Sequence, residues 1–302
     1  MLEASRFLVT ASLALVLLAL LLDVVVMGAR RSVKRPVKAA VKVPAGGVPS
    51  SPLSPIDFEA DAPAKPARGM NMAGLGTRFV QLAVLTLSGA LITRTIAVGH
   101  GPFSNQYEFA VSFAWGIVLV YAIFEWKYKV RALSLAVLPV ASGLLLYANT
   151  VSAEANPLIP ALQNHLLLTT HVMTAILAYG AAAVSFGAAV MYLLKPRFPR
   201  LPRAELLDEI GYKATVVTFP LLTAMLILGM IWADIAWGRY WGWDPKESAA
   251  LVTWLLYGGY LHARVVRDWR GNRAAWLLII GFIAVVATYF SNLVLGGMHS
   301  YV

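Results

Sequence analysis

The chain has 302 residues, of which 59% are hydrophobic and only 13% charged, and its mean hydropathy is +0.69. A water-soluble domain carries about a quarter charged residues, so that class is excluded, and repeated apolar stretches of membrane-spanning length point to an all-α, polytopic helical membrane bundle. The formal net charge is +10, but the basic residues fall in short segments between apolar runs, so topology accounts for them and no nucleic-acid partner is implied.

The absence of cysteine rules out disulfides, thiolate metal sites and a cysteine nucleophile. Any sulfur chemistry would have to come from a partner. Five histidines make each position informative.

The first apolar run covers about Phe7–Val26. It lacks a convincing small-residue cleavage site and reads as a retained first span (residues 1–29) rather than a signal peptide. Residues 30–73 begin with a basic cluster of Arg30, Arg31, Lys34, Arg35, Lys38 and Lys42 and continue rich in Pro, Gly and Ser. This composition buries little and reads as a flexible cytoplasmic linker. The second span is expected at Leu75–Ile92, followed by an outer loop from Arg94 to Asn105 that contains His100. The third, Tyr107–Phe124, returns inward to WKYKVR, and the fourth, Ala132–Tyr147, runs out to a second outer segment at Asn149–Asn164. The fifth, Leu166–Leu194, comes back to the basic, proline-broken KPRFPRLPR. Residues Ala204–Tyr212 read as a short surface helix before a sixth span at Val216–Ala236. The seventh, Ser248–Ala263, leads to RVVRDWRGNR, and the eighth, Ala274–Leu295, exits to the tail GGMHSYV. Arg and Lys cluster in alternate segments, which gives eight spans with both termini extracytoplasmic and residues 74–302 forming a seven-helix unit.

Between spans six and seven lies WGRYWGWDPKE, Trp237–Glu247, with three Trp, a Tyr and four charged groups in eleven residues. A single Trp at an interface is an anchoring belt residue. This density, with Gly238 and Gly242 allowing tight turns and Pro245 holding Asp244 extended, reads instead as a rigid loop exposing aromatic faces to a flat aromatic ligand, best a haem. Asp244 is also placed to cap the seventh helix.

His171, near the outer end of span five, and His299, in the tail, sit at the level of this loop. Neutral imidazole is a standard axial haem ligand, and two histidines from different segments could hold one iron from both faces. His165 competes, but six residues from His171 it points about 120° away on a continuous helix. His262, toward the inner end of span seven, reads either as a polar residue reaching the interface or as a second, inner-side haem ligand. Arg94 and Arg239 lie near the outer surface against the positive-inside trend and are candidate partners for haem propionates. Glu108, at the outer mouth of span three, could pair with one of them or orient a histidine.

The stretches WGRYWGWDPKESAALVTWLLYGGYLHAR, WRGNRAAWLLIIGFIAVVATYFSNLVLGGMHSYV, GPFSNQYEFAVSFAWG and NPLIPALQNHLLLTTHVMTAILAYG together resemble the WWD-domain, haem-handling family of cytochrome c biogenesis proteins, most closely its CcsA/ResC (system II) branch. The resemblance runs from about Ala73 to the C-terminus. One departure is Ala249, where the family more often has Trp. The resemblance implies that Trp237, Trp241, Trp243 and Asp244 form the core of the haem-binding signature. It implies outer axial ligands at His171 and His299, and that His262 is a membrane histidine meeting haem at an inner site. It further implies haem b as bound substrate, a CcsB/ResB-like membrane subunit, a thiol-reducing system, and an apocytochrome c whose CxxCH thiols form thioethers with ferrous haem. A haem exporter or chaperone without ligation activity, and a membrane cytochrome b, are the alternative functions.

Overall fold

The computed structural model describes residues 1–29, 72–155, 158–163 and 165–300. The basic, proline-rich linker reading falls on residues outside these. The described residues form eight helices: α1 (Leu2–Ala29), α2 (Met72–Val98), α3 (Gln106–Tyr128), α4 (Ser134–Ala148), α5 (His165–Leu194), α6 (Ala204–Trp237), α7 (Pro245–Val266) and α8 (Asn272–Leu295). Short 3-10 turns at Arg131–Leu133 and Pro160–Leu162 join them, and no strand occurs among the described residues. In lipid every backbone amide must be bonded within its own segment, which is why the apolar runs close into helices.

Seven of these helices are long and apolar enough to cross a membrane, and the chain is a multi-pass membrane protein. The remaining helix, α7, is diluted by Tyr257, Gly258, Gly259, Tyr260, His262 and Arg264. Its contacts nevertheless tie it to both ends of the bundle. Arg264 pairs with Asp208 at the start of α6 at 2.6 Å, and Asp244, just before its first turn, meets His299 beyond α8 at 2.8 Å. Twenty-two residues at about 1.5 Å each reach across a hydrocarbon layer of about 30 Å.

The sixth helix corrects the sequence reading. Residues 204–212 are not a separate surface helix but the first turns of the 34-residue α6. Nothing in AELLDEIGYK breaks a helix, and the Lys213–Glu209 pair at 2.5 Å supports the continuation. Asp208 on this extension holds Arg264 and accepts the Gly271 backbone N–H.

Burial identifies the central elements. In the apolar window of α5, 72% of residues are inside the protein, and 67% in α3, against 28% in α1, α2 and α6. Membrane helices gain little from hydrophobic transfer to one another, so close backbone approach has to carry the packing. Here α3 and α5 cross at Gly116 and Gly180, and a Cβ on Gly180 would stand 2.6 Å from the Gly116 carbonyl oxygen. Ala181, Ala182, Ala183 and Ser185 continue the buried small-residue face of α5.

Buried polar pairs close one end of the bundle. Arg94, at the end of α2, donates from Nε to Glu108 of α3 at 2.9 Å, with both side chains almost fully buried. Its guanidinium also donates to the carbonyls of Ala153 and Glu154, while Glu108 accepts from the backbone and hydroxyl of Ser104. The two open readings for these residues therefore resolve into one mutual pair that pins the loop after α4. Removing one member of a buried pair strands the other, at a cost of about 3–5 kcal/mol. Glu108→Ala is expected to lower the thermal stability of the detergent-solubilised protein by that order, with the double change Arg94→Met/Glu108→Met milder. An unchanged melting temperature for the single variant would contradict this.

Candidate functional site

At the same end of the bundle, α3, α5, α6, α7 and α8 surround a cleft of about 1170 Å³, including its open mouth. Its floor is aromatic. Phe113 packs against Tyr179 at 5.1 Å and edge-on to Tyr289 at 5.3 Å, and all three line the space. Both His171 and His299 line it as well, although they lie on elements far apart in sequence.

His171 comes from the second turn of α5. Its Nδ1 is 2.9 Å from the carbonyl oxygen of Met225 on α6. A carbonyl can only accept, so Nδ1 carries the proton and Nε2 the lone pair. The helices are close enough for this because residue 229 is glycine; a Cβ there would meet the His171 ring at 2.8 Å. The ring stacks on Trp232, 6.1 Å between centroids and 13° between planes. Trp232 is 2% exposed and is held by donating from Nε1 to the carbonyl of Ala161 at 3.0 Å.

His299 is delivered by the tail beyond α8. That tail leaves the helix through Gly296 and Gly297, at φ 69° and 116°. Asp244 is the fixture it turns onto. The Asp244 carboxylate accepts from the backbone of Lys246 at 3.1 Å, from the backbone of Met298 at 2.5 Å and from His299 Nδ1 at 2.8 Å. It thereby caps α7 as the sequence suggested, completing a capping box with Glu247. Burial would raise its pKa, but the hydrogen bonds from His299 and from two backbone amides outweigh this and hold the carboxyl below its ordinary range. Burial, reinforced by the Lys246 cation, keeps His299 down at about 4, so its imidazole is neutral at neutral pH. The unfolded chain takes up that proton first, near 6.5, so the anchored tail loses stability as pH falls from 6.5 toward 4.

The three Trp of the loop take different positions. Trp237, at the end of α6, meets Trp232 edge-on at 4.8 Å and His299 at 4.9 Å. Trp241 lines the cleft with Tyr240 and makes an edge contact with Trp243 at 5.7 Å. Trp243 has a left-handed backbone at φ 55° and is 71% exposed. Of the other candidates, His262 is exposed on α7, near the opposite end of the bundle. His100 faces the carbonyl of its neighbour Gly101, and His165 opens α5. Arg94 is engaged by Glu108, and Arg239 is exposed and leans on the Met298 sulfur.

Sequence reasoning missed Trp232 and Gly229, and it noticed Lys246 beside the Trp-rich loop without giving it a role. Trp232 stands five residues before Trp237 in an otherwise aliphatic run, which is a usable signal. Gly229 and Lys246 gain their meaning only from neighbours on other helices.

The donor chemistry fits an axially ligated iron porphyrin. Two imidazoles with Nδ1 tied to acceptors present Nε2 as the basic nitrogen, the arrangement of histidine ligands with an orienting second partner. A Cβ on Gly297 would lie 2.3 Å from Asp244 Oδ1, in a backbone region that L side chains avoid. Gly297→Ala is therefore expected to cost more than about 1 kcal/mol and to release the tail, read as lost hydrogen-exchange protection of the Met298 amide. Unchanged protection would show that Asp244 does not hold the tail.

Comparison with known proteins places this architecture. A family model described as "Cytochrome C assembly protein" matches residues 103–299. The "Cytochrome c biogenesis protein CcsA" of Microcystis aeruginosa is 33% identical over 290 residues, covering 76% of this chain and 88% of the relative. That of Guillardia theta is 34% identical over 262 residues, covering 76% and 86%. Among solved structures, "Cytochrome c Heme Lyase CcmF" superposes with a TM-score of 0.62 at 21% identity, covering 96% of this chain and 46% of that one; this likeness is one of fold. With most of the bundle and the whole cleft inside the matched region, the chain belongs to the cytochrome c assembly protein family, among its CcsA-type members.

Proposed function

We propose that the cleft holds haem b as substrate at the extracytoplasmic face, with His171 and His299 as the axial pair, and presents it to the CxxCH segment of an apocytochrome c. The observation that carries this reading is the matched state of the two histidines. Each lines the same cleft and each has Nδ1 against an acceptor, Met225 O in one case and Asp244 in the other.

The assignment of that end as extracytoplasmic rests on charge. Lys195, Arg197, Arg200, Arg203, Arg264, Arg267, Arg270 and Arg273 fall in the segments at the other end, as the positive-inside trend requires. Bis-histidine ligation keeps the iron saturated until a histidine of the target replaces one ligand. The chain then contributes by holding the vinyl-bearing macrocycle in place while the target's reduced thiols approach. Trp241 and Tyr240 supply an aromatic wall, Asp244 fixes His299, and Trp237 packs against that ring. The target supplies both thiols, in keeping with a chain without cysteine, and a thiol-reducing system keeps them available.

A CcsB/ResB-like membrane subunit is the proposed partner. The exposed position of His262 on α7 suits a second haem contact shared with that subunit. The same geometry would serve a haem exporter or chaperone that does no ligation, and assay of thioether formation with the partner present separates these. A cytochrome b is less favoured because the two paired histidines sit at the end of the bundle beside an open loop.

The purified protein with its partner is expected to show a low-spin reduced haem spectrum that becomes high-spin in both His171→Ala and His299→Ala. Spectra unaffected by both changes would dismiss the axial pair. Asp244→Ala should weaken haem binding by about 10–100-fold, measured by haem titration, since it frees His299 from its orienting partner; wild-type affinity would contradict the role given to Asp244. The low-spin spectrum should persist well below 6.5, because burial and the Lys246 cation hold His299 down at about 4 and iron competes with the proton for the same nitrogen. A transition centred at the ordinary 6.5 would contradict a buried His299 ligand.

A further inference from the structure

Among the described residues lining the cleft, Lys246 and Glu247 are the lysine and the glutamate. The Glu247 carboxylate is engaged, accepting the backbone N–H groups of Gly242 at 2.8 Å and Asp244 at 3.1 Å. Asp244 below it is engaged three times over. Lys246 differs. It projects from the first turn of α7 across to α3, where its Nζ lies 5.3 Å from the centre of the Phe109 ring, and it makes no salt bridge with any described carboxylate. Lys246 feels the Asp244 carboxylate through space but is not in direct contact with it, so a cation resting on a ring face at the wall of an apolar, aromatic cleft still has room for an anion as its direct partner.

The other basic residues at this end do not meet that description. Arg94 is buried against Glu108 and two carbonyls, and Arg239 is exposed beside the Met298 sulfur. We propose that Lys246 is the anion anchor of the cleft, pairing with a carboxylate of the ligand and thereby fixing the rotation of a flat macrocycle about the line joining His171 and His299. This inference rests on the haem reading given above.

The consequence follows from the shape of the ligand. Two axial histidines define the plane of a porphyrin but leave it able to turn within that plane. Haem b carries its two propionates on one edge and its vinyls elsewhere on the ring. A single cation on one wall therefore limits that rotation: the acid edge faces α3 and α7, and the vinyl-bearing pyrroles lie on the far side of the macrocycle. Thioether formation at defined vinyl carbons requires such a fixed placement, and axial ligation alone does not provide it.

The test uses the purified full-length chain, titrated with haem b and with its dimethyl ester, which keeps the ring, iron and vinyls but lacks the acids. Binding is read from the visible spectrum. The wild type is expected to bind the diacid at least about tenfold more tightly, a difference of about 1.4 kcal/mol. Lys246→Gln should lose this preference by weakening the diacid alone, and Lys246→Arg should retain it. Equal binding of both forms by the wild type, or an undiminished preference in Lys246→Gln, would overturn the anchor. Should Lys246→Gln fail to fold, the wild-type comparison and Lys246→Arg still decide, because loss of preference in either is equally fatal. A low-spin spectrum that depends on both histidines but not on the acids sinks the anchor alone. A spectrum independent of His171 and His299 sinks the haem reading and the anchor with it.

Discussion

The carboxylate of Asp244 is the interaction on which the site end of this protein depends. It lies where three pieces of chain meet: the aromatic loop, the first turn of α7 and the tail beyond α8. One buried anion satisfies a backbone donor at the helix start, a backbone donor in the tail and the imidazole of His299. The loop is stiffened by Pro245 and Glu247, and the tail turns onto Asp244 through glycines that accept positive φ. A charge in this position is costly without full hydrogen bonding, and full hydrogen bonding is what specifies the geometry.

The opposite histidine is positioned by packing instead. His171 sits on the most buried helix of the bundle, wedged between the Met225 carbonyl and the face of Trp232, in space made by the missing side chain at Gly229. The crossing of α3 on α5 at Gly116 and Gly180 brings Phe113 and Tyr179 together beneath the cleft. Backbone proximity in the core and an ion at the rim thus converge on one cavity by different physical means.

Much of the fold was legible because membrane insertion simplifies the code. Apolar runs located all eight helices, with the observed ends extending a turn or so beyond the apolar stretch at most of them. Where the reading failed, the signal was not hydropathy: the start of α6 is polar on one side and was detached from a helix that in fact continues through it. The cap at Asp244 was readable because Asp-Pro-x-Glu is a local pattern. Its contact with His299 was not, since 55 residues and two helices separate them. Arg94 and Glu108 were noticed as misplaced charges, but composition could not tell a ligand contact from a mutual pair. Nor could spacing tell Trp241, which lines the cleft, from Trp243, which a single left-handed residue turns out to solvent.

The two histidines are unequal in how they could let go. Withdrawing His171 would require α5 and α6 to separate, and with them the centre of the bundle. Withdrawing His299 means breaking the tail's contacts with Asp244, Asn292, Arg239 and Trp237, but it leaves every helix in place. On the function proposed above, a metal held in this way would have one inert and one labile bond. On that same function, exchange with an incoming imidazole would proceed on the tail side, and the direction from which a target protein engages would be set by the asymmetry of the clamp rather than by the ligand within it.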